Sequence, residues 1–215
     1  MPDFSTAKAE LLRSLAARDI SDARVLDALD RVPRERFVPE PIRPRAYENI
    51  ALPIPAGQTI SQPLMVALMT QELELKGAER VLEIGTGTGY QTAILAELAT
   101  EVVTIERIPE LGHAARELLS DLGYSNIEFR IGDGSLGCPE LAPYDAILVT
   151  AGAPDYPAPL YRQLRVGGRL VIPVGDEATQ TLRIVTRTVQ GPQIRESGGC
   201  RFVRLIGDAA WPAES

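Results

Sequence analysis

The sequence predicts an α/β fold: a Rossmann-like, mostly parallel sheet of about seven strands, helices on both faces, antiparallel C-terminal edge strands and an N-terminal helical cap. Three observations carry this. From about residue 65, short apolar runs alternate with helix-periodic stretches, the pattern of β-α-β units. The first apolar run leads into a glycine turn, Gly85-Thr86-Gly87-Thr88-Gly89. The last two strand-like runs have no helix between them, which suits antiparallel pairing at an edge.

The elements follow in order. Leu11, Leu12 and Leu15 share one face of a first helix, with Ser5 as its N-cap. Val25, Leu26, Leu29 and Val32 form the stripe of a second helix after Ser21. Pro33, Pro39, Pro41, Pro44, Pro53, Pro55 and Pro63 then predict mostly extended loop, because proline fixes φ and removes a backbone donor. A helix over Met65–Leu75 leads to strand Val81–Ile84, helix Gln91–Leu98, strand Val102–Glu106, helix Leu111–Leu122 and strand Ile127–Ile131. Strand Tyr144–Thr150, helix Leu160–Leu164, a Gly167-Gly168 turn and strand Arg169–Val174 continue the alternation. Thr181–Thr188 and Arg201–Ile206 are the expected antiparallel pair, joined by a loop containing Gly191-Pro192 and Gly198-Gly199. Residues 1–215 read as one domain, with 1–60 a cap and 61–215 the Rossmann-like core.

Composition excludes several classes. With 215 residues, 45% hydrophobic and 24% charged, the chain can bury a core and is not disordered. A net charge of -7 and no long Lys/Arg run argue against a nucleic-acid partner. Cys138 and Cys200 have no metal-ligand spacing and imply no disulfide framework. The opening Met1-Pro2-Asp3-Phe4-Ser5 lacks the basic and apolar regions of a secretory signal, and no run is long enough to span a membrane. A cytoplasmic monomer is the expectation.

The glycine turn points to a ligand at the carboxyl end of a strand, where the missing side chains allow close approach. Dinucleotide sites favour G-x-G-x-x-G, with pyrophosphate at the helix start. The spacing here is G-x-G-x-G, preceded by Glu83, an acid that suits a cationic ligand carrying a sulfonium and an amine. Glu106 ends the next strand, where a carboxylate can accept from both ribose hydroxyls. Asp133-Gly134 ends the third, either as a plain Asp-Gly turn or as an acceptor for an adenine amino group with room for the ring.

Ahead of the first strand lies Gly57-Gln58-Thr59-Ile60-Ser61-Gln62-Pro63. Ser61 would need a base to act as a covalent nucleophile, and the sole histidine, His113, falls in mid-helix. This argues against a serine hydrolase. This run, together with Val81–Tyr90, Glu106–Leu111, Gly132–Gly134 and Gly167–Gly175, resembles the protein-L-isoaspartate O-methyltransferase family. The resemblance implies a seven-stranded methyltransferase fold with S-adenosylmethionine as cofactor and S-adenosylhomocysteine as product. It implies methyl transfer to isoaspartyl-containing proteins and peptides. Ser61 matches the family's active-site serine, and Gln58, Thr59 and Ile60 the loop over the cofactor. Gly85, Thr86 and Gly87 match the turn under its methionine part, Glu106 the ribose ligand, and Asp133 with Gly134 the adenine side. Gln180 matches a late polar residue near the cofactor. Asn49, Leu64 and Cys138 depart from the family's pattern. The rival readings are a methyltransferase for one dedicated peptide, a nicotinamide oxidoreductase, and a non-catalytic binding module.

Overall fold

A computed structural model describes residues 3–18 and 20–213. Met1 and Pro2, part of the opening read above for a signal, lie outside it. The cap begins with helices α1, Ser5–Ala16, and α2, Ala23–Arg31. Asp22 caps α2 by accepting from Arg24 N at 3.0 Å. Ser5 does not cap α1. Phe4 holds the cap position without a side-chain bond, and Ser5 N donates to Asp3 at 2.9 Å.

The proline-rich stretch is less extended than expected. Short 3₁₀ turns run over Arg34–Phe37, Glu40–Arg45 and Pro55–Gly57. A proline φ near -65° suits such turns as well as it suits extended chain. Two-residue strands β1, Leu52–Pro53, and β2, Thr59–Ile60, pair antiparallel on either side of the last turn. Helix α3, Pro63–Glu72, starts on a proline, which needs no hydrogen-bond partner at that position.

Next come β3, Arg80–Ile84, α4, Tyr90–Ala96, β4, Glu101–Glu106, α5, Pro109–Asp121, and β5, Ile127–Ile131. They are followed by β6, Tyr144–Val149, α6, Ala158–Gln163, β7, Leu164–Gly175, β8, Gln180–Thr188, and β9, Gly191–Cys200. The large sheet has seven strands in the order β5-β4-β3-β6-β7-β8-β9. Its first five run parallel, and β8 and β9 fold back antiparallel. The fold class read from the sequence is therefore the one observed.

Two strand expectations change. Gly167-Gly168 lies inside β7, where the pairing to β6 slips between Tyr144↔Leu164 and Ala146↔Arg169. A Cβ on Gly168 would stand 2.9 Å from the Asp145 carbonyl oxygen, so this bulge needs glycine. The last antiparallel partner is Gly191–Cys200, read above as a loop, and not Arg201–Ile206. Being a mostly exposed edge, β9 has no apolar alternation to betray it.

The parallel centre is apolar on both faces. Val81 and Leu148 face a core built with α1 to α5, while Leu82, Ile147 and Val149 face a second core with Leu160 of α6. Cap residues Leu15, Val25 and Val32 belong to the first of these cores. From β3 the chain crosses to β4 on one side, whereas β6 lies on the other. That reversal opens a crevice at the carboxyl ends of β3 and β6.

Candidate cofactor and active site

The glycine turn fills that crevice. Gly85, Gly87 and Gly89 have φ of 95°, 55° and 89°. A Cβ on Gly85 would come within 2.4 Å of Thr150 Oγ1, which donates to the Ile84 and Gly85 carbonyls at 3.0 and 2.8 Å. The turn is thus compressed against the end of β6 and leaves open space above it. A cavity of about 440 Å³ lies there, within the range of small-molecule sites.

Most of the sequence candidates meet in this cavity: Gln58, Thr59, Ile60 and Ser61 from the cap, Gly85, Thr86 and Gly87 from the turn, and Glu106 and Gly134 from the next strand ends. Glu106 is nearly buried, and its two oxygens accept from Gly87 N at 2.8 Å and Ile108 N at 2.9 Å. A carboxylate has about four lone-pair directions, so acceptor capacity remains for a pair of hydroxyls. The Ser61 loop is shaped by the β1–β2 pair and by Ile54 N donating to the Gln58 carbonyl at 3.0 Å. Asn49, one of the departures from the family pattern, supports the same loop. Its Oδ1 accepts from Leu64 N at 3.0 Å, and its carbonyl accepts from Gln62 Nε2 at 2.8 Å. Cys138 is buried away from the cavity lining, where its carbonyl accepts from Tyr144.

Three candidates stand behind the lining rather than on it. Glu83 has 0% exposure, so it does not face a cationic ligand. Its Oε2 accepts from Thr92 Oγ1 at 2.5 Å and Thr104 Oγ1 at 2.7 Å, and Oε1 is buried without a partner. Burial pushes its pKa up to about 8, against the two threonine bonds and with help from the Glu106 charge. Thr104 Oγ1 lies 2.7 Å from Thr86 Oγ1, so the acid underpins the turn from below.

Asp133 turns toward the C-terminal segment. It accepts from Ser135 N at 2.8 Å, Ser135 Oγ at 2.7 Å and Asp208 N at 2.8 Å. Gln180 clamps Phe202 on both sides, accepting from its N at 2.8 Å and donating to its carbonyl at 3.1 Å. These two residues hold in place a segment that the sequence reading left out of the site. Val203, Arg204, Leu205 and Ile206 all line the cavity. Gly152 fastens the same segment, its N donating to Val203 O at 2.7 Å and its carbonyl accepting from Leu205 N at 2.8 Å.

Tyr90, Gln91 and Thr150 also line the cavity and were not anticipated. Thr150 was the findable one, as a polar residue just past an apolar strand in a fold that binds ligands at strand ends. His113 is exposed on α5 and outside the cavity. Among the described residues, no cluster of three or more His, Cys, Asp or Glu could hold a metal.

Comparison with known proteins agrees with this architecture. The family model for protein-L-isoaspartate(D-aspartate) O-methyltransferase matches residues 6–210. A protein-L-isoaspartate O-methyltransferase of Syntrophus aciditrophicus is 54% identical over 200 residues, covering 92% of each chain. One from Marinobacter nauticus is 54% identical over 213 residues, covering 98% of this chain and 97% of the relative. A solved protein-L-isoaspartate O-methyltransferase superposes with a TM-score of 0.85 at 30% identity, over 94% of this chain and 67% of that one. A Plasmodium falciparum structure described under the same name, in complex with S-adenosyl-L-homocysteine, gives a TM-score of 0.81 at 28% identity, over 92% and 97% of the two chains. With motifs, strand order and relatives in agreement over nearly its whole length, the chain belongs to the protein-L-isoaspartate(D-aspartate) O-methyltransferase family.

Proposed function

We propose that this protein transfers the methyl group of S-adenosylmethionine to the free α-carboxylate of L-isoaspartyl residues in damaged proteins and peptides. The observation that carries the reading is that one cavity joins the glycine turn, Glu106 and the Ser61 loop. The residues present suit the cofactor. Gly85 and Gly87 keep the floor free of side chains, Glu106 has spare acceptor capacity for the ribose, and Gly134, packed against Ile84, lines the side we assign to the adenine. When bound, S-adenosylmethionine supplies an electrophilic methyl on a sulfonium leaving group.

The protein's own contribution is placement. A carboxylate of pKa ~3.5 is already ionised at neutral pH, so no general base is required. Ser61, a residue of the cavity wall, would donate its hydroxyl to one carboxylate oxygen, leaving the other to attack. Gln58, Thr59 and Ile60 cover the reacting atoms and keep water out. The methyl ester formed then closes to a succinimide as the neighbouring backbone nitrogen attacks and methanol leaves. Hydrolysis of that ring gives a route back to aspartate. Asp133 and Gln180 serve this reading by holding the segment from Phe202 to Ala209, and Glu83 by supporting the turn. The net charge of -7 supports a chain that works without nucleic acid, and we read it as a cytoplasmic monomer. Among the described residues no helix is long and apolar enough to cross a membrane.

The test is methyl transfer to an isoaspartyl peptide beside its aspartyl twin. Transfer to the first alone is expected, and equal or absent transfer to both rejects the assignment. Activity confined to one dedicated peptide would point instead to a biosynthetic relative. Ser61→Ala is expected to lower turnover strongly while leaving affinity for S-adenosylhomocysteine nearly unchanged.

A further inference from the structure

The largest fully buried side chain among the described residues is a charged one. Arg34, at the start of the cap turn Arg34–Phe37, has 0% exposure. It enters none of the carboxylate ion pairs among the described residues. Its Nε donates to the Ala46 carbonyl at 2.8 Å and its Nη2 to the Ser61 carbonyl at 2.9 Å. The guanidinium carbon sits 4.7 Å from the centre of the Tyr90 ring. Nη1 is buried with no hydrogen bond. Burial pushes the pKa of the group down, with Tyr90 and Tyr47 opposing.

A buried cation without a counter-charge works against folding, and an apolar residue would fill the space at less cost. What the guanidinium supplies is a rigid planar fork. One group joins three separate pieces: the cap at Ala46, the backbone of Ser61, and the first residue of α4. Ser61 and Tyr90 both line the cavity, whereas Arg34 does not.

We infer that Arg34 is a positioning residue: it fixes the Ser61 backbone against Tyr90 and so sets where the Ser61 hydroxyl stands above the glycine turn. The inference rests on the reading that Ser61 meets the substrate carboxylate. It predicts that the benefit of Arg34 passes through the Ser61 side chain. A lysine keeps the charge but cannot reach both carbonyls in one plane.

The experiment is a double-mutant cycle on the full chain with Arg34→Lys and Ser61→Ala, using an isoaspartyl peptide and S-adenosylmethionine. Tm and calorimetric binding of S-adenosylhomocysteine are measured alongside. Arg34→Lys is expected to lower kcat on the order of tenfold to a hundredfold, the scale of a misplacement near 1 Å. In the Ser61→Ala background the same substitution is expected to cost no more than about twofold, because the group it positions is gone. A purely structural role would lower Tm and reduce kcat by the same factor in both backgrounds, and that result overturns the inference while leaving Ser61 in place. If Ser61→Ala alone turns over at the wild-type rate, the reading of Ser61 fails and the inference falls with it. Should Arg34→Lys not fold, Arg34→Gln, whose amide can reach one carbonyl, enters the cycle under the same criteria.

Discussion

Replacing Glu83 by glutamine isolates a single buried proton. In the unfolded chain this carboxyl ionises near 4.5, whereas burial raises it to about 8 in the fold. Between those values the native state holds one proton more than the unfolded state, so stability falls as pH rises. The contribution is fully present below the unfolded value and is lost as pH climbs through the folded one. The rise corresponds to about 5 kcal/mol in full and about 3 kcal/mol at pH 7. Glutamine cannot ionise, and its oxygen can still accept from Thr92 and Thr104. Its amide nitrogen would occupy the place of Oε1, which has no partner, adding a constant penalty of about 1–3 kcal/mol. That offset moves the comparison up or down without changing its slope. Urea unfolding of both proteins from about pH 5 to 8 should therefore show the Glu83→Gln variant gaining about 1 kcal/mol on the parent per pH unit, tapering as the pH reaches the folded value near 8. A difference that stays flat across this window would refute the reasoning, because it would mean that Glu83 is ionised in the fold.

Gly85→Ala forces a side chain toward Thr150 Oγ1, 2.4 Å away, at a φ of 95°. Left-handed strain together with the lost Thr150 bonds should lower stability by about 3 kcal/mol in denaturant titration. Adding Thr150→Ala should recover part of it, and an unchanged midpoint in the single variant would count against the compressed turn. Glu106→Gln must present its NH₂ to one of the two backbone donors it now accepts from, Gly87 or Ile108. Calorimetry should show S-adenosylhomocysteine binding weakened on the order of tenfold to a hundredfold, and full retained affinity would remove Glu106 from the ribose site.

The parallel half of the sheet was legible because its strands are short apolar runs followed by helices, and the glycine turn marked where the cavity opens. Glu83 shows the limit of such reading. It lies in a strand buried on both faces, so neither alternation nor neighbourhood in sequence says which way its carboxyl turns. Only Thr92 and Thr104, brought in from α4 and β4, decide it. Strand β9 is invisible for the opposite reason. Its pattern carries no apolar face, and its identity comes from its partner β8. Residues 203–206 were read as sheet when they form cavity wall, since their place depends on Gln180, Gly152 and Asp133, each distant in sequence.

The cavity draws its walls from the cap at Gln58 to Ser61 and from the late segment at Val203 to Ile206 and Ala213, with the glycine turn between them. A ligand filling it therefore acts as a staple across the whole polypeptide. Binding to the native state alone raises global stability by RT ln(1 + [L]/Kd), about 2.7 kcal/mol at a hundredfold excess over Kd. Thermal protection by cofactor is thus coupled to the integrity of the cap and of the final segment alike, and loosening either end far from the reacting atoms registers first as weaker ligand affinity.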